Sequence, residues 1–300
     1  MGKTLSMKEM NQMLAYCKDR YEARLCEDCG QNCRNKGLCN GAHDCEGCLR
    51  KIHYGGSKHY NCPYECYFYV MKYFYQYASE ITIGCFKAPN NGMQDLVNKP
   101  EINVVSIGCG PSSELYGIKL WQYVKGSKAK LNYWGFDTNP AWMELQSLNK
   151  GIFSQDNIQY PQDDAFSFME EPGDTDILIL NYVVSDIYKH NPDYSDEFLR
   201  KIAGLINDKK IGYLITNDIY LTYSSGTAYA FLRHLAKHHG KLETNPNEVF
   251  RCYFDNNNEY RKAFGVYSQF NGICFTQQVD LSAIGPHTQC RSMLEVLKVR

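Results

Sequence analysis

From Pro100 onward, short apolar runs alternate with amphipathic stretches, a rhythm that predicts repeated β–α units. Ile102–Ile107, Leu131–Phe136, Asp176–Leu180 and Ile211–Ile215 read as strands, with a weaker one at Ile158–Tyr160. Ser113–Val124, Ala141–Leu148, Ser195–Ile206 and Ala228–His239 read as helices. The run Asp-Ile-Leu-Ile-Leu at 176–180 has no polar alternation after its first residue, as expected of a central strand covered on both faces. Such units imply the α/β class, with a mostly parallel, doubly wound sheet. Two further β-like runs, Ile273–Val279 and Met293–Val299, leave no room for a helix between them and predict a C-terminal antiparallel hairpin at the sheet edge.

Upstream the pattern changes. Residues 1–25 carry Met7, Met10, Met13, Leu14 and Cys17 near helical spacing. From Cys26 to about Asn61 the periodicity disappears, and Cys, Gly, Asn and His dominate. Pro63 suits the first turn of a helix, here a strongly aromatic one running to about Ser79, whose stripe of Tyr64, Tyr67, Phe68, Met71, Phe74 and Tyr75 reads as core. Lys87–Pro100, rich in Asn, Gly and Pro, predicts a linker. The expected division is therefore a small Cys-rich metal-binding domain with its aromatic helix at 1–86, and the sheet domain at 87–300.

Composition changes the picture mainly through cysteine. The hydrophobic fraction of 44% supplies a core, and a net charge of −1 provides no global field favouring nucleic acid or membrane. No apolar run is long enough to span a bilayer, and no secretory signal opens the chain, so a cytoplasmic location is expected. Fourteen cysteines are present, nine of them in the first 66 residues. Clustered thiols in a reducing compartment favour metal over disulfides. Cys26, Cys29, Cys33 and Cys39 precede Cys45, Cys48, Cys62 and Cys66. Eight thiols match two tetrahedral zinc ions. Grouping the first four and the last four is one arrangement, interleaved pairing fits as well, and His43, His53 and His59 could each replace a cysteine. An iron–sulfur cluster is the chemical rival.

The first predicted strand runs into Ser106-Ile107-Gly108-Cys109-Gly110-Pro111-Ser112-Ser113. Gly108 and Gly110 permit a tight strand-to-helix turn and let a ligand approach bare backbone. The second strand ends at Phe136-Asp137, followed by Thr138, where a carboxylate can accept from the two hydroxyls of a ribose. Asp163-Asp164-Ala165 follows the third strand, where an acidic side chain can accept from an adenine amino group, and Asn181 follows the fourth at the same rim.

Gly108-Cys109-Gly110-Pro111, Phe136-Asp137 and Asp164-Ala165, in that order at successive strand ends, resemble the first three motifs of the class I S-adenosylmethionine (SAM) dependent methyltransferases. The resemblance covers roughly Ile102 to Arg300, and the C-terminal hairpin is similar to that family too. It implies SAM as the cofactor, with Ser106, Gly108, Cys109, Gly110, Asp137, Thr138, Asp163, Asp164, Ala165 and Asn181 around it. The chain departs from the family at Ser106, where an acidic residue is usual, and at Ser112, where a third glycine is usual. The fourth-strand run Asn181-Tyr182-Val183-Val184 lacks the Asn-Pro-Pro-Tyr of many amino-methylating enzymes, so neither the substrate nor a catalytic residue carries over.

The function expected from these features is methylation of a macromolecule by SAM, nucleic acid before protein, with zinc in the N-terminal segment helping to recruit the target. Residues 1–60 hold ten Lys and Arg against seven Asp and Glu, with Arg34, Lys36, Arg50, Lys51 and Lys58 interleaved among the cysteines. Cations so placed can contact phosphates of RNA or DNA. The alternative is a catalytically inactive methyltransferase-like protein that binds nucleic acid or protein through zinc fingers. A nicotinamide oxidoreductase is disfavoured by the missing third glycine and by the C-terminal hairpin.

Overall fold

The computed structural model describes residues 5–23, 45–54, 60, 62–162, 164–170, 175–190, 192–219, 221–222, 228–229, 231–232, 235, 248–254 and 272–300. Its centre is a seven-stranded sheet made of β1 (Glu101–Ile107), β2 (Lys130–Phe136), β3 (Asn157–Gln159), β4 (Thr175–Asn181), β5 (Ile211–Asp218), β8 (Val249–Tyr253) and β9 (Met293–Lys298). The spatial order is β3-β2-β1-β4-β5-β9-β8. The first five strands run parallel, while β9 is antiparallel to both β5 and β8. Val104 of β1 sits between Tyr133 of β2 and Ile177 of β4. Two short strands, β6 (Leu221–Thr222) and β7 (Ala228–Tyr229), pair apart from this sheet.

Alternating side chains of each strand enter different apolar clusters, as the two-residue period of a strand requires. Val104, Leu131, Tyr133, Ile177, Ile179 and Ile215 face one cluster, and Val105, Phe136, Leu178, Leu180 and Leu214 face the other. The first face is covered by α1 (Lys8–Glu22), α3 (Pro63–Lys87), α4 (Pro89–Val97), α5 (Ser113–Lys125) and α6 (Met143–Ile152). The second is covered by α7 (Ala165–Glu170), α8 (Val184–His190) and α9 (Pro192–Asn207). A short helix, α2 (Cys45–Tyr54), packs Cys45, Leu49 and Ile52 on Phe68 of α3.

The aromatic helix is longer than its apolar stripe predicts. It continues through Glu80-Ile-Thr-Ile-Gly-Cys-Phe-Lys87, a β-branched stretch of weak helix propensity that packing overrides. Ile81, Ile83 and Cys85 are fully or almost fully buried. The Thr82 hydroxyl donates to the carbonyls of Ala78 (2.8 Å) and Gly117 (3.2 Å), and the Phe74 ring meets Tyr116 edge-on at 4.9 Å, joining α3 to α5. Helices α1 and α3 therefore share one core with the sheet, across the boundary drawn at residue 87. The expected linker after it is the ordered segment α4, in which Asn90, Asn91, Gly92 and Met93 take left-handed backbone angles and Met93, Leu96 and Val97 are buried.

Two expectations are corrected at the C-terminal side. The edge strand that pairs antiparallel with β9 is β8, whereas 273–279 contributes a bridge from Phe275 to Leu5. Ala228–Tyr229, expected to begin a helix, is strand β7, whereas Phe231, Leu232 and Leu235 are helical as expected. Most of 228–239 lies outside the described residues. Among the described residues no helix is long and apolar enough to cross a membrane.

Candidate functional site

The parallel part of the sheet changes winding direction between β1 and β4, whose successors lie on opposite sides, and such a switch point opens a crevice at the carboxyl ends of the strands. A cleft of about 900 Å³ lies there, lined by residues following β1, β2, β3 and β4 and by aromatic residues of α3.

The loop after β1 forms one wall. The Gly108 and Cys109 amides donate to the Phe136 carbonyl at 2.8 and 3.1 Å, tying the loop to the end of β2. Gly108 has φ +66, and a Cβ built there would lie 2.4 Å from Val183 Cγ2. Both the backbone angle and the space demand glycine. Asp137, at the end of β2, accepts from the Gly110 amide at 2.7 Å and from the Asn139 amide at 2.8 Å, one on each oxygen. Burial raises its carboxyl above the usual range, against those two hydrogen bonds. A carboxylate has about four lone-pair sites, so each oxygen retains capacity for a further donor. Asn139 accepts from the Ala141 amide at 3.1 Å and starts the single 3₁₀ turn Pro140–Trp142, which carries the Trp142 ring beside Gly110.

Asp164 lines the cleft and also begins α7, accepting at 3.2 Å from both the amide and the hydroxyl of Ser167. Cys109, Thr138 and Ala165 line the same cleft. Asn181 does as well, donating to Ser113 Oγ at 3.2 Å and accepting from Asn217 Nδ2 at 2.8 Å. Asp163 lies outside the described residues. Ser106 is buried away from the cleft lining and donates to Glu114 Oε1 at 2.7 Å. Glu114 also accepts from the Tyr133 hydroxyl at 2.6 Å, and burial raises its carboxyl despite these donors. The carboxylate that the resemblance places at position 106 is thus present under the loop, supplied by the first turn of α5.

No protein-family model matches the chain, and no curated protein matches it. Solved structures align to it at low similarity. One is the Pnkp1/Rnl/Hen1 complex, at 15% identity and a TM-score of 0.40 over 75% of this chain and 42% of that one. Another is the N-terminal domain of EvdMO1 with SAH bound, at 9% identity and a TM-score of 0.32 over 66% and 75% of the two chains. A third is a human methyltransferase 10 domain containing protein, at 11% identity and a TM-score of 0.38 over 86% and 97%. Two of these names specify a methyltransferase or bound SAH.

A further part of the lining comes from the aromatic helix, whose stripe the sequence favours as core over a base-stacking surface. Tyr69 and Tyr77 of α3 line the cleft together with Tyr60, Trp142 and Tyr182. Tyr182 has φ +57, a left-handed angle uncommon outside glycine. Its amide donates to the Asn217 carbonyl at 2.7 Å, and its hydroxyl donates to Glu80 Oε2 and accepts from Gln76 Nε2, both at 3.0 Å. Glu80 is fully buried and accepts further from Gln76 Nε2 (2.9 Å), the Arg291 amide (2.8 Å) and Asn217 Nδ2 (2.9 Å). Burial raises its carboxyl, opposed by the donors around it. Spacing of four along α3 puts Tyr69, Tyr73 and Tyr77 on one face, and that was the available signal.

The cysteine grouping needs correction. Among the described residues no three or more His, Cys, Asp and Glu side chains come together as a metal would require. Cys66 belongs to the main core with Cys17, whereas Cys45 belongs to the small cluster around Phe68. Residues 66 and 68 lie about 200° apart around a helix, so Cys45 and Cys66 are drawn to different sides of α3. Cys45, Cys48, Cys62 and Cys66 therefore do not form the expected four-thiolate site. Cys26, Cys29, Cys33 and Cys39 lie outside the described residues, as do Arg34, Lys36 and Lys58. Arg50 is exposed on α2 and pairs with Glu46 at 3.3 Å.

Proposed function

We propose that this chain is a SAM-dependent methyltransferase. The observation that carries the proposal is the convergence of the Gly108–Gly110 loop, Asp137 and Asp164 on one cleft at the switch point of a parallel sheet. The residues present suit the cofactor. Asp137 has lone pairs left for ribose hydroxyls, and Asp164, on the same cleft, would accept from an adenine amine. Bare backbone at Gly108–Gly110 accommodates the methionine end. Phe136, Ala165 and Phe166 supply apolar wall. When bound, SAM supplies a methyl group on a sulfonium, open to in-line attack by a nucleophile. The chain's own contribution is to orient the two partners and to exclude water.

Calorimetric titration of the full chain with SAM and with its demethylated product, S-adenosylhomocysteine (SAH), tests the assignment. Both should bind, and Asp137→Ala should weaken binding by about 2 kcal/mol, roughly thirtyfold in Kd. Absence of heat, or an Asp137→Ala chain that binds as tightly as the parent, would overturn it. Transfer of a tritiated methyl group from SAM into a cell extract then distinguishes an enzyme from an inactive binding protein.

A further inference from the structure

The aromatic lining of the cleft, which adjoins the glycine loop at Trp142, differs from it in chemistry. Tyr60 and Trp142 lie 4.7 Å apart between ring centroids, Tyr60 and Tyr69 5.3 Å, and Tyr69 and Trp142 5.4 Å. Tyr77 lies against Tyr182 at 4.1 Å. Asp186, in the first turn of α8, lines the same cleft. It is near enough to Tyr69 for its charge, after burial, to help hold that hydroxyl protonated. Asp137, Asp164 and Asp186 are the charged residues among the described lining, which includes no Lys, Arg or His. A phosphate-bearing target depends on cations for affinity, and beside the aromatic rings this cleft offers it the Asp186 carboxylate.

We infer that the aromatic wall is the methyl-acceptor subsite, and that it takes a cationic amine held against the tyrosine and tryptophan rings with Asp186 as counter-charge. The inference rests on the methyltransferase reading of the cleft. Ring faces attract a cation within about 6 Å of their centroids, and a carboxylate gives an ammonium a charge-assisted hydrogen bond. Asp186 also completes the chemistry. It takes a proton from the ammonium, which frees the nitrogen lone pair. That pair forms the nitrogen–carbon bond as the carbon–sulfur bond of SAM breaks, with the breaking pair staying on sulfur. The products are a methylated ammonium and neutral SAH, and Asp186, exposed to solvent, returns the proton to water.

The experiment is calorimetry on the full chain, with and without SAH. The probes are phenethylamine, its neutral isostere 2-phenylethanol, Nα-acetyl-lysine amide and an oligouridylate. At least one amine should bind about tenfold more tightly than the alcohol, and which amine binds better distinguishes a free amine from a protein lysine. Asp186→Asn should abolish most of that preference. Tyr69→Leu should weaken amine binding about fivefold, and Tyr69→Phe, which keeps the ring, should stay within about twofold of the parent. Equal binding of amine and alcohol, an undiminished preference in Asp186→Asn, or binding of the oligouridylate in place of the amines would overturn the inference. Loss of SAH binding alone would sink the methyltransferase reading, and the titrations without SAH would still measure the amine preference.

Discussion

Gly108→Ala is the substitution whose cost can be worked out most directly from the geometry. The added methyl group meets two separate penalties. The first is the backbone, because an alanine held at φ +66 pays about 1–2 kcal/mol for its left-handed angle. The second is space. The new Cβ would lie 2.4 Å from Val183 Cγ2 and 2.8 Å from Val183 Cβ, distances that force the loop or the start of α8 to move. Overpacking of this kind costs about 1–3 kcal/mol. Together they give about 2–5 kcal/mol, read as a shift of the urea midpoint followed by circular dichroism. Val183→Ala separates the two penalties. It removes the 2.4 Å contact and leaves the 2.8 Å one, so in the Gly108→Ala background it should recover part of the loss while the backbone share remains. A double-mutant cycle should show favourable coupling of about 0.5 kcal/mol or more. A Gly108→Ala chain within about 0.5 kcal/mol of the parent, or strictly additive double variants, would refute this account of the loop.

Three further outcomes are expected. Asp218 is buried, and desolvation lifts its carboxyl to about 7, against bonds from the Ser185 amide (2.9 Å) and hydroxyl (2.6 Å). Its folded pKa exceeds the unfolded value, so its contribution is present at low pH and is lost as pH rises from about 4 through about 7; Asp218→Asn should flatten the fall in urea stability across that window, and an unchanged slope would count against it. Glu80→Gln places an amide where two donors now point and should destabilise the fold by about 1–3 kcal/mol, whereas an unaffected melting curve would mean the four-donor arrangement is dispensable. If Cys26, Cys29, Cys33 and Cys39 hold zinc, elemental analysis should find about one ion per chain, lost in a Cys26→Ser, Cys29→Ser double variant; the same zinc content in that variant would remove those ligands from consideration.

Strands β1, β2, β4 and β5 were legible because a sheet covered on both faces needs largely apolar runs, and those runs are bounded by turn residues; β3, Asn-Ile-Gln, has a single apolar residue and was correspondingly weak. Strand β8 was not legible, and the reason is chemical. Val-Phe-Arg-Cys-Tyr carries a charge at its centre, and Arg251 stands opposite Glu295 in the ladder with β9. The two side chains meet at 2.6 Å, and Glu295 also accepts from the Leu232 amide at 2.9 Å. Each charge lowers the apolar score of its own strand and is compensated by the other, at a sequence distance no local window covers. The run 273–279 looked more β-like, yet it lies along Leu5 near the chain's beginning.

The candidate site divides in the same way. Gly108, Gly110, Asp137 and Asp164 were legible because strand ends fix them and their spacing follows the β–α rhythm. The aromatic wall was hidden because α3 shows a core stripe and a cleft stripe together, and tyrosine suits both. Phe74 and Tyr75 are core, while Tyr69 and Tyr77 line the cleft. Glu80 shows why the two halves of the chain are interdependent. It lies well before the glycine loop, but its four hydrogen-bonding partners include Tyr182 at the end of β4, Asn217 near the end of β5 and the Arg291 amide just before β9. A chain without residues 1–86 would strip those three donors of their acceptor. Each buried donor left unpaired costs about 1–3 kcal/mol, and Tyr182 would lose what fixes its ring in the cleft. The helix before residue 87 therefore acts as a structural wall of the cleft, and any role it has in choosing a substrate follows from the side chains that wall presents.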